Sequence, residues 1–267
     1  MRRSLPAAPK TLARYLTWLA RHRGLKAATI ARRAAAVRYV HLIGGHASPT
    51  DSILVKAAVR GIRRELGTAP AQKTALTAKM IGAMLDSCDS SLLGCRDRAL
   101  IALGFAAALR RSELVAVQVA DLTTTERGMD LLIRRSKGDQ EGKEACLAVP
   151  HGDHLMPVQA VQDWLAASGI TDGPVFRQVR KGSRLGNVAL TPHAVAVLTK
   201  KRARLAGIDP VLVSGHSLKA GYVTSCCEHG VAPMIIAEQT RHKSLDMLLV
   251  YSRRVDRYRN HSGKAFL

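Results

Sequence analysis

The residues best suited to chemistry lie in short stretches that are widely separated along the chain. Arg110 stands just ahead of Ser112, a candidate helix cap that follows a long apolar run. Two histidines, His216 and His242, come far downstream, and Tyr251 lies nine residues after the second. An arginine held at a helix corner can present its planar fork to a phosphate. The pattern therefore indicates a site directed at a phosphate group.

Metal and nucleotide chemistry find little support in the sequence. The ten histidines form no HExxH motif, the five cysteines form no CxxC pair, and the 20 acidic residues form no tight cluster. The stretch 180–183, Arg-Lys-Gly-Ser, lacks the upstream glycine of a P-loop. We therefore expect side chains alone to carry out any reaction at a phosphate, with no metal and no cofactor.

The composition indicates a polyanionic partner. The 267 residues include 41 lysines and arginines against 20 acids, a net charge of +21. A hydrophobic share of 47% is enough for ordinary buried cores, which excludes a disordered polyelectrolyte. A large positive excess in a folded protein is typical of nucleic-acid binding.

The sequence does not resemble that of a secreted or membrane protein. The longest apolar run, residues 99–109, is too short to cross a bilayer. Five cysteines are an odd number, and no signal peptide precedes them. We expect a reduced, cytoplasmic setting in a prokaryotic cell.

Charge and chain breakers divide the sequence into two expected domains. Gly67 and Pro70 mark a linker, so we place a helical domain at 1–67, the linker at 68–74 and a second domain at 75–267. Residues 1–67 hold 14 lysines and arginines but only two acids. Apolar spacing predicts three helices in the first domain: 10–22, from Thr29 to Gly44, and 51–66.

Seven cations of the first domain are candidate DNA-binding residues: Arg32, Arg33, Arg38, Lys56, Arg60, Arg63 and Arg64. They form either a merely solvated basic face or a face that follows phosphates. Because almost no acids are interleaved among them, we favour the second interpretation.

The second domain is predicted to be mainly α-helical with a small β-hairpin, an α+β fold class. Apolar residues make 96–109 a buried helix, and 129–135 and 143–149 are two strands joined by the loop 136–142. Helix starts are expected at four hydroxyl residues: Thr77, Thr191, Ser217 and Ser244.

Taken in order, these motifs resemble the phage integrase family of tyrosine recombinases. That family carries an arginine in an LRxSEL-like box, a lysine in a β-hairpin, an HxLR box, a second histidine and a tyrosine nine residues later. This chain has Leu-Arg-Arg-Ser-Glu-Leu at 109–114, Lys137 in the hairpin loop, His-Ser-Leu-Lys at 216–219, and His242 followed by Tyr251. Each motif alone is weak, but five in this order are specific.

The resemblance implies a cofactor-independent, site-specific DNA recombinase. Tyr251 would attack a DNA phosphodiester and form a 3′-phosphotyrosyl link. Arg110 and His242 would bind nonbridging oxygens of the phosphate. His216 would assist proton transfer, and Lys137 would protonate the departing 5′ oxygen.

The family also implies a supporting residue and an assembly. Glu113 would brace Arg110, and the basic segment 10–67 would be a core-binding domain that clamps double-stranded DNA with the catalytic domain. Four protomers would form a ring on DNA and exchange their C-terminal segments, here the 16 residues after Tyr251.

Two positions depart from the family pattern. Lys219 stands where the family has its second catalytic arginine, and Arg241, a further candidate DNA-binding residue, stands where glycine is more usual. Lysine keeps the charge but lacks the planar fork, so we expect slow cleavage. The alternative is a catalytically impaired DNA-binding regulator of the same fold. Only three helices fit before the linker, where the family usually has four or more.

Other interpretations stay open for single residues and for the function. Each histidine taken alone is equally compatible with a structural role, and Lys143 is a substitute for Lys137. Tyr222 and Tyr258 are rival tyrosines, but neither has the spacing of Tyr251. A type IB topoisomerase would share the chemistry, whereas an RNA-binding protein is disfavoured by an aromatic share of only 4%.

Overall fold

A computed structural model of the chain describes residues 5–67, 74–134 and 144–242, together with Ser244, Leu245 and Leu248. The chain divides into two units, residues 1–72 and 73–267. Helices predominate and are accompanied by two small antiparallel sheets, so the predicted fold class is confirmed. No helix in the described ranges is both long enough and apolar enough to cross a membrane.

The first unit is helical. Its helices are α1 (Pro9–Arg21), α2 (Ala27–Ile43) and α3 (Ile53–Leu66). Leu12, Leu16 and Leu19 recur at helical spacing on α1 and pack with Ile30 of α2 and with residues of α3. The apolar periodicity therefore predicts this small core directly.

The start of α3 differs from the expectation. Asp51 ends a short 3₁₀ turn, Pro49–Asp51, and the helix begins two residues later. The Ser52 hydroxyl caps it by accepting from the Leu54 amide at 3.3 Å. Helix α2 likewise begins at Ala27 rather than near Thr29. At the other end of α3, Gly67 takes a left-handed φ of 70° as expected for a helix stop.

The second unit contains the remaining elements. In chain order they are α4 (Ala78–Asp86), α5 (Leu92–Ala106), α6 (Arg111–Ala116), β1 (Leu122–Thr125), β2 (Gly128–Ile133), β3 (Ala145–Pro150), α7 (Pro157–Ser168), β4 (Arg177–Arg180), β5 (Arg184–Ala189), α8 (Pro192–Leu205), α9 (Ser217–Glu228) and α10 (Pro233–Thr240).

The predicted hairpin strands are present as β2 and β3. They pair antiparallel from Gly128 opposite Pro150 to Ile133 opposite Ala145, and β1 adds to the other edge of β2. The predicted loop 136–142 lies outside the described residues, and so do positions 135 and 143, where the two predicted strands adjoin that loop. Strand β1 and the β4–β5 hairpin were not predicted, because Leu-Thr-Thr-Thr and Arg-Gln-Val-Arg lack apolar alternation.

Helix α5 lies at the centre of the second core. Leu100, Ile101 and Leu103 have no exposed surface, as expected for a helix that is apolar on all sides. At Gly104 an added Cβ would lie 2.9 Å from a Leu114 methyl and 3.2 Å from a Leu218 methyl. The missing side chain thus lets α6 and α9 approach the same point on α5.

Two predicted helix caps are wrong. Arg110, not Ser112, precedes α6, and the Glu113 side chain accepts from the Arg110 amide at 2.8 Å. Ser217 is the first residue of α9 rather than its cap, and its hydroxyl accepts from the Ser214 amide at 2.9 Å. Thr191 caps α8 as expected, with its hydroxyl 3.1 Å from the Ala194 amide.

Helix α9 is held against the segment that leads into α4. The Leu76 amide donates to the Ser217 carbonyl at 3.1 Å, and the Ala78 amide donates to the Ser225 hydroxyl at 2.8 Å. A Cβ on Gly221 would overlap the backbone carbonyl of Leu76. This close backbone contact fixes α9, which carries Lys219 and directly follows His216.

We predict that Gly221→Ala lowers the free energy of unfolding by about 1–3 kcal/mol, because the new methyl group must displace backbone. Gly82→Ala in α4 is the matched control, since its Cβ would make only a 3.9 Å contact with Leu155. That control should be neutral or should stabilise by up to about 1 kcal/mol. Denaturant unfolding measures both changes, and equal stability of the two variants would contradict the assignment.

Candidate active site

A sharp corner between α5 and α6 positions Arg110. Ala108 adopts a left-handed φ of 47°, and the Leu109 amide closes the end of α5 by donating to the Gly104 carbonyl at 3.0 Å. Arg110 follows at the entry to α6, with about a quarter of its side chain exposed. The corner was expected from the sequence, although Arg110 itself occupies the capping position.

A buried carboxylate joins two arginines. Glu113 Oε1 lies 2.6 Å from Arg110 Nη1, and Glu113 Oε2 lies 2.7 Å from Arg241 Nη2. Oε2 also accepts from the Arg110 amide. Three charge-assisted hydrogen bonds of this kind fix the guanidinium of Arg110 and the end of α10 to one point on α6.

The charge of Glu113 is maintained despite its burial. Burial by itself raises the pKa of this carboxyl, but the Arg110 amide and the Arg241 guanidinium lower it below its usual range. The carboxylate therefore stays ionised at neutral pH and compensates part of the positive charge around it.

Lys219 lies on the first turn of α9 and is buried. Its ammonium donates to the backbone carbonyl of Thr240, the last residue of α10. Burial first, and then the charges of Arg110 and Arg241, lower the pKa of Lys219 to about 8. Lys219 is thus a cation near neutral pH and loses its proton far more readily than an exposed lysine.

His242 is linked to the same threonine. The Thr240 hydroxyl donates to the Ile236 carbonyl at 2.5 Å and lies 2.5 Å from His242 Nδ1. Because a hydroxyl has one proton to donate, it must accept from Nδ1–H, which assigns the tautomer. Burial first, and then Lys219, Arg110 and Arg241, lower the pKa of His242. The neutral imidazole therefore predominates at pH 7.

Arg241 ends α10 in an unusual backbone conformation. Its φ and ψ are 55° and 47°, in the left-handed region, and the amides of Arg241 and His242 return to the carbonyls of Glu238 and Ala237. Glycine is the usual residue in this helix closure. The predicted role of Arg241 was DNA binding, yet only 13% of its side chain is exposed and its guanidinium faces Glu113.

His216 immediately precedes α9 and has an exposed side chain. The preceding Gly215 is packed so closely against Arg111 of α6 that a Cβ there would overlap the guanidinium. This contact places the start of α9 beside the start of α6. The structure therefore brings His216 to the same end of the unit as Arg110.

The structure describes some of the remaining lysine and tyrosine candidates and not others. Lys137, its substitute Lys143, Tyr251 and the rival Tyr258 lie outside the described residues. The other rival, Tyr222, packs edge-on against Phe105 at 5.8 Å between ring centroids, and burial raises its pKa. In the described ranges no three His, Cys, Asp or Glu side chains come together as a metal site.

The candidate DNA-binding residues of the first unit are all exposed. Lys56, Arg60, Arg63 and Arg64 share one face of α3, beside the stripe that buries Val55 and Ile62. Two arginines of α2 already have partners within the protein: Arg33 donates to the Tyr15 hydroxyl at 3.0 Å, and Arg38 forms an ion pair with Asp51.

Sequence reasoning missed Thr240. It is fully buried, and it holds Lys219 through its carbonyl and His242 through its hydroxyl. The only feature of the sequence that could have pointed to Thr240 is its position two residues before His242. Arg241 was noticed but was given a surface role, because nothing local reveals that its partner is Glu113, 128 positions earlier in the chain.

Comparison with known proteins agrees with this geometry. Residues 74–257 match the model of the phage integrase family. An integrase/recombinase XerD homolog of Selenomonas ruminantium is 39% identical over 253 residues, covering 92% of this chain and 74% of that protein. Recombinase Cre of Escherichia phage P1 is 25% identical over 277 residues, covering 96% of this chain and 78% of the relative.

Solved structures show the same fold at lower identity. XerH site-specific recombinase in a post-cleavage complex with palindromic difH substrate gives a TM-score of 0.64 at 15% identity, covering 96% of this chain and 72% of XerH. A lambda integrase dimer bound to a COC′ core site gives a TM-score of 0.65 at 17% identity, covering 95% of this chain and 66% of the lambda integrase chain. The family match extends over more than half of the sequence, and the chain therefore belongs to the phage integrase family of tyrosine recombinases.

Proposed function

We propose that this chain is a site-specific DNA recombinase that cleaves and rejoins DNA through a 3′-phosphotyrosine formed by Tyr251. The observation that carries the proposal is the set of cations held around one buried carboxylate: Arg110, Lys219 and Arg241. Phosphoryl transfer without a metal needs such fixed donors to stabilise charge on the phosphorane. The relatives that are named recombinases support it.

The first unit would clamp the duplex as a core-binding domain, and the second would be the catalytic domain. The exposed basic face of α3 supports this role, because cations at positions 56, 60, 63 and 64 can follow successive phosphates. XerH and lambda integrase are DNA-bound in their structures. We place the protein in the cytoplasm of a prokaryotic cell, on its DNA.

The reaction forms a bond between the Tyr251 oxygen and phosphorus and breaks the bond from phosphorus to the 5′ oxygen. Arg110 would bind a nonbridging oxygen with its planar fork. His216 would assist transfer of the proton from the Tyr251 hydroxyl, and Lys137 would protonate the departing 5′ oxygen. The phosphodiester energy is kept in the covalent link, so rejoining requires no cofactor.

Proton uptake accompanies DNA binding in this proposal. The neutral His242 uses its Nδ1 proton on Thr240, so it can donate to a phosphate oxygen only after a second proton binds at Nε2. A nearby phosphodiester anion or phosphorane favours that protonation, since opposite charge raises a histidine pKa. His242 is thus suited to charge when the substrate arrives.

Lys219 is proposed to slow cleavage. Its ammonium is directed at the Thr240 carbonyl, and lysine offers no two-pronged contact to a phosphate. Loss of one fixed donor at an anionic transition state costs about 10²–10³ in rate. The same observation supports a second candidate, a DNA-binding regulator of this fold that does not cleave.

Assembly into a tetramer on DNA is part of the proposal. A cavity of about 840 Å³ beside α10 has a largely apolar lining that includes Phe105, Leu155 and Ile235. The C-terminal segment of a second copy, which contains Phe266 and Leu267, offers matching apolar side chains. Exchange of such segments would couple the active sites of neighbouring protomers.

We predict a covalent protein–DNA adduct when the chain is incubated with a nicked, labelled duplex that carries its native site. Tyr251→Phe abolishes the adduct because the nucleophilic oxygen is removed. Lys219→Arg increases its rate of formation by up to about 10²–10³-fold, since a planar donor is restored. A denaturing gel measures both effects.

Absence of an adduct from both the original chain and the Lys219→Arg variant, despite tight binding, would favour the regulator. An adduct that forms equally fast in both would contradict the role given to Lys219. Strand exchange between two sites, rather than relaxation of supercoils alone, separates a recombinase from a type IB topoisomerase.

We predict that the second-order rate of adduct formation falls as the pH rises through about 8, where Lys219 loses its proton in the free protein. The folded pKa is lowered, so the cation is present below pH 8 and is lost above it. In the Lys219→Arg variant the part of this decline that is due to Lys219 should disappear, because arginine stays charged, and only the part that is due to protonation of His242 should remain. Identical pH profiles for the two proteins would rule out Lys219 as the group that titrates.

We predict that Arg63→Gln lowers the slope of log affinity against log salt by about 1, because one phosphate contact is lost. Arg38→Gln is the matched comparison, since Asp51 already neutralises that side chain, and its effect should be smaller. Fluorescence anisotropy at several salt concentrations measures both slopes. Equal effects would mean that the α3 face has no special part in binding.

A further inference from the structure

The guanidinium of Arg241 is only partly used by the contacts described above. Nη2 donates to Glu113 at 2.7 Å, and Nη1 lies 3.5 Å from the Gln239 carbonyl, a weak contact. Nε is buried and has no hydrogen-bond partner within the described part of the chain. Buried donors are nearly always paired in folded proteins. Arg241 therefore has a donor that none of the described residues satisfies, which leaves it capacity for a further acceptor.

The backbone at Arg241 gives an independent reason to look for a role. A left-handed φ of 55° favours glycine, so an arginine at this position carries local backbone strain. The strained residue is also one of the most buried cations of the site. Strain and burial together are the pattern expected of a residue held for its side chain rather than for its backbone.

Lys219 and Arg241 reach the same point from different helices. The ammonium of Lys219 donates to the carbonyl oxygen of Thr240, which belongs to the peptide group that also contains the Arg241 nitrogen. The Arg241 side chain starts next to that peptide group, and its guanidinium reaches Glu113, the residue that also binds Arg110. Two guanidinium groups thus share one carboxylate, beside a lysine that is engaged with a backbone carbonyl.

We propose that Arg241 supplies the guanidinium contact to the scissile phosphate that Lys219 cannot make. This inference rests on the recombinase function proposed above and assigns a second arginine to its site. Glu113 would hold Arg110 and Arg241 as a pair of planar donors for the nonbridging oxygens. Arg241, at the end of α10, then makes the contact that an arginine at position 219 of α9 would make. The lysine at position 219 therefore lowers the rate of cleavage only in part.

A double-mutant cycle tests the proposal. The rate of covalent adduct formation is measured on the nicked duplex for the original chain, Arg241→Gln, Lys219→Arg and the double variant. Arg241→Gln should slow the original chain about 10²-fold. In the Lys219→Arg background the same change should cost less than about tenfold, because the new arginine takes over the contact. Arg241→Lys, which keeps the charge without the fork, should give an intermediate rate.

Two further variants separate chemistry from folding. Arg241→Gly suits the left-handed backbone, so the relief of strain offsets part of the stability lost with the Glu113 ion pair, and the variant should show the same dependence on position 219. Arg177→Gln is the matched control: its side chain is 14% exposed, close to the 13% of Arg241, and it donates to the Pro174 carbonyl in its own turn. The rate of adduct formation by Arg177→Gln should equal that of the original chain.

An equal loss from Arg241→Gln in both backgrounds would overturn the proposal, because it would mean that Arg241 only braces Glu113. No loss in the original chain would overturn it as well. If no protein of the series forms an adduct although all bind the site, the recombinase function itself fails and this inference fails with it. That outcome is distinct, since it already appears in the Lys219→Arg variant with Arg241 intact.

Discussion

The buried carboxylate of Glu113 is the interaction on which the site depends. Arg110 at the entry to α6 and Arg241 at the end of α10 converge on it, and Lys219 lies close enough for their charges to lower its pKa. Cations brought together away from water repel one another and are costly to desolvate. One ionised acid in their midst lets them stay charged and fixed before any substrate binds, which is the preorganisation that an anionic transition state requires.

The second constraint is how closely three helix ends can approach. The absence of side chains at Gly104, Gly215 and Gly221 allows α5, α6, α9 and the segment before α4 to meet at backbone or side-chain contact distance. Thr240 then ties the end of α10 to Lys219 and His242. Donors that project from rigid helix ends keep their geometry, whereas the same residues on a loose loop would have to be ordered by the substrate.

Positive charge is used in two physically different ways in this chain. On α3 the cations are exposed and close to water, where each contributes modestly and is screened by salt, a setting that suits affinity for a long polyanion. At the candidate site of the second unit, Arg110, Arg241 and Lys219 are partly or largely buried and are tied to named partners. There the low dielectric strengthens each interaction, and the difference between a lysine and an arginine becomes a matter of geometry.

The sequence by itself determined the family, the helical character, the two strands of the central hairpin and the buried helix α5, because these follow from periodicity and from motifs within a few residues. It missed β1 and the β4–β5 hairpin, whose polar residues give no apolar alternation. It also misplaced the cap of α6: the helix begins at Arg111, so Arg110 occupies the capping position, and its amide donates to the Glu113 carboxylate. Only the tertiary structure decided that Thr240 binds both Lys219 and His242 and that the Arg241 side chain turns inward to Glu113. Those contacts join residues far apart in the chain, and they exist because the helices pack closely at glycines, a consequence that no local pattern encodes.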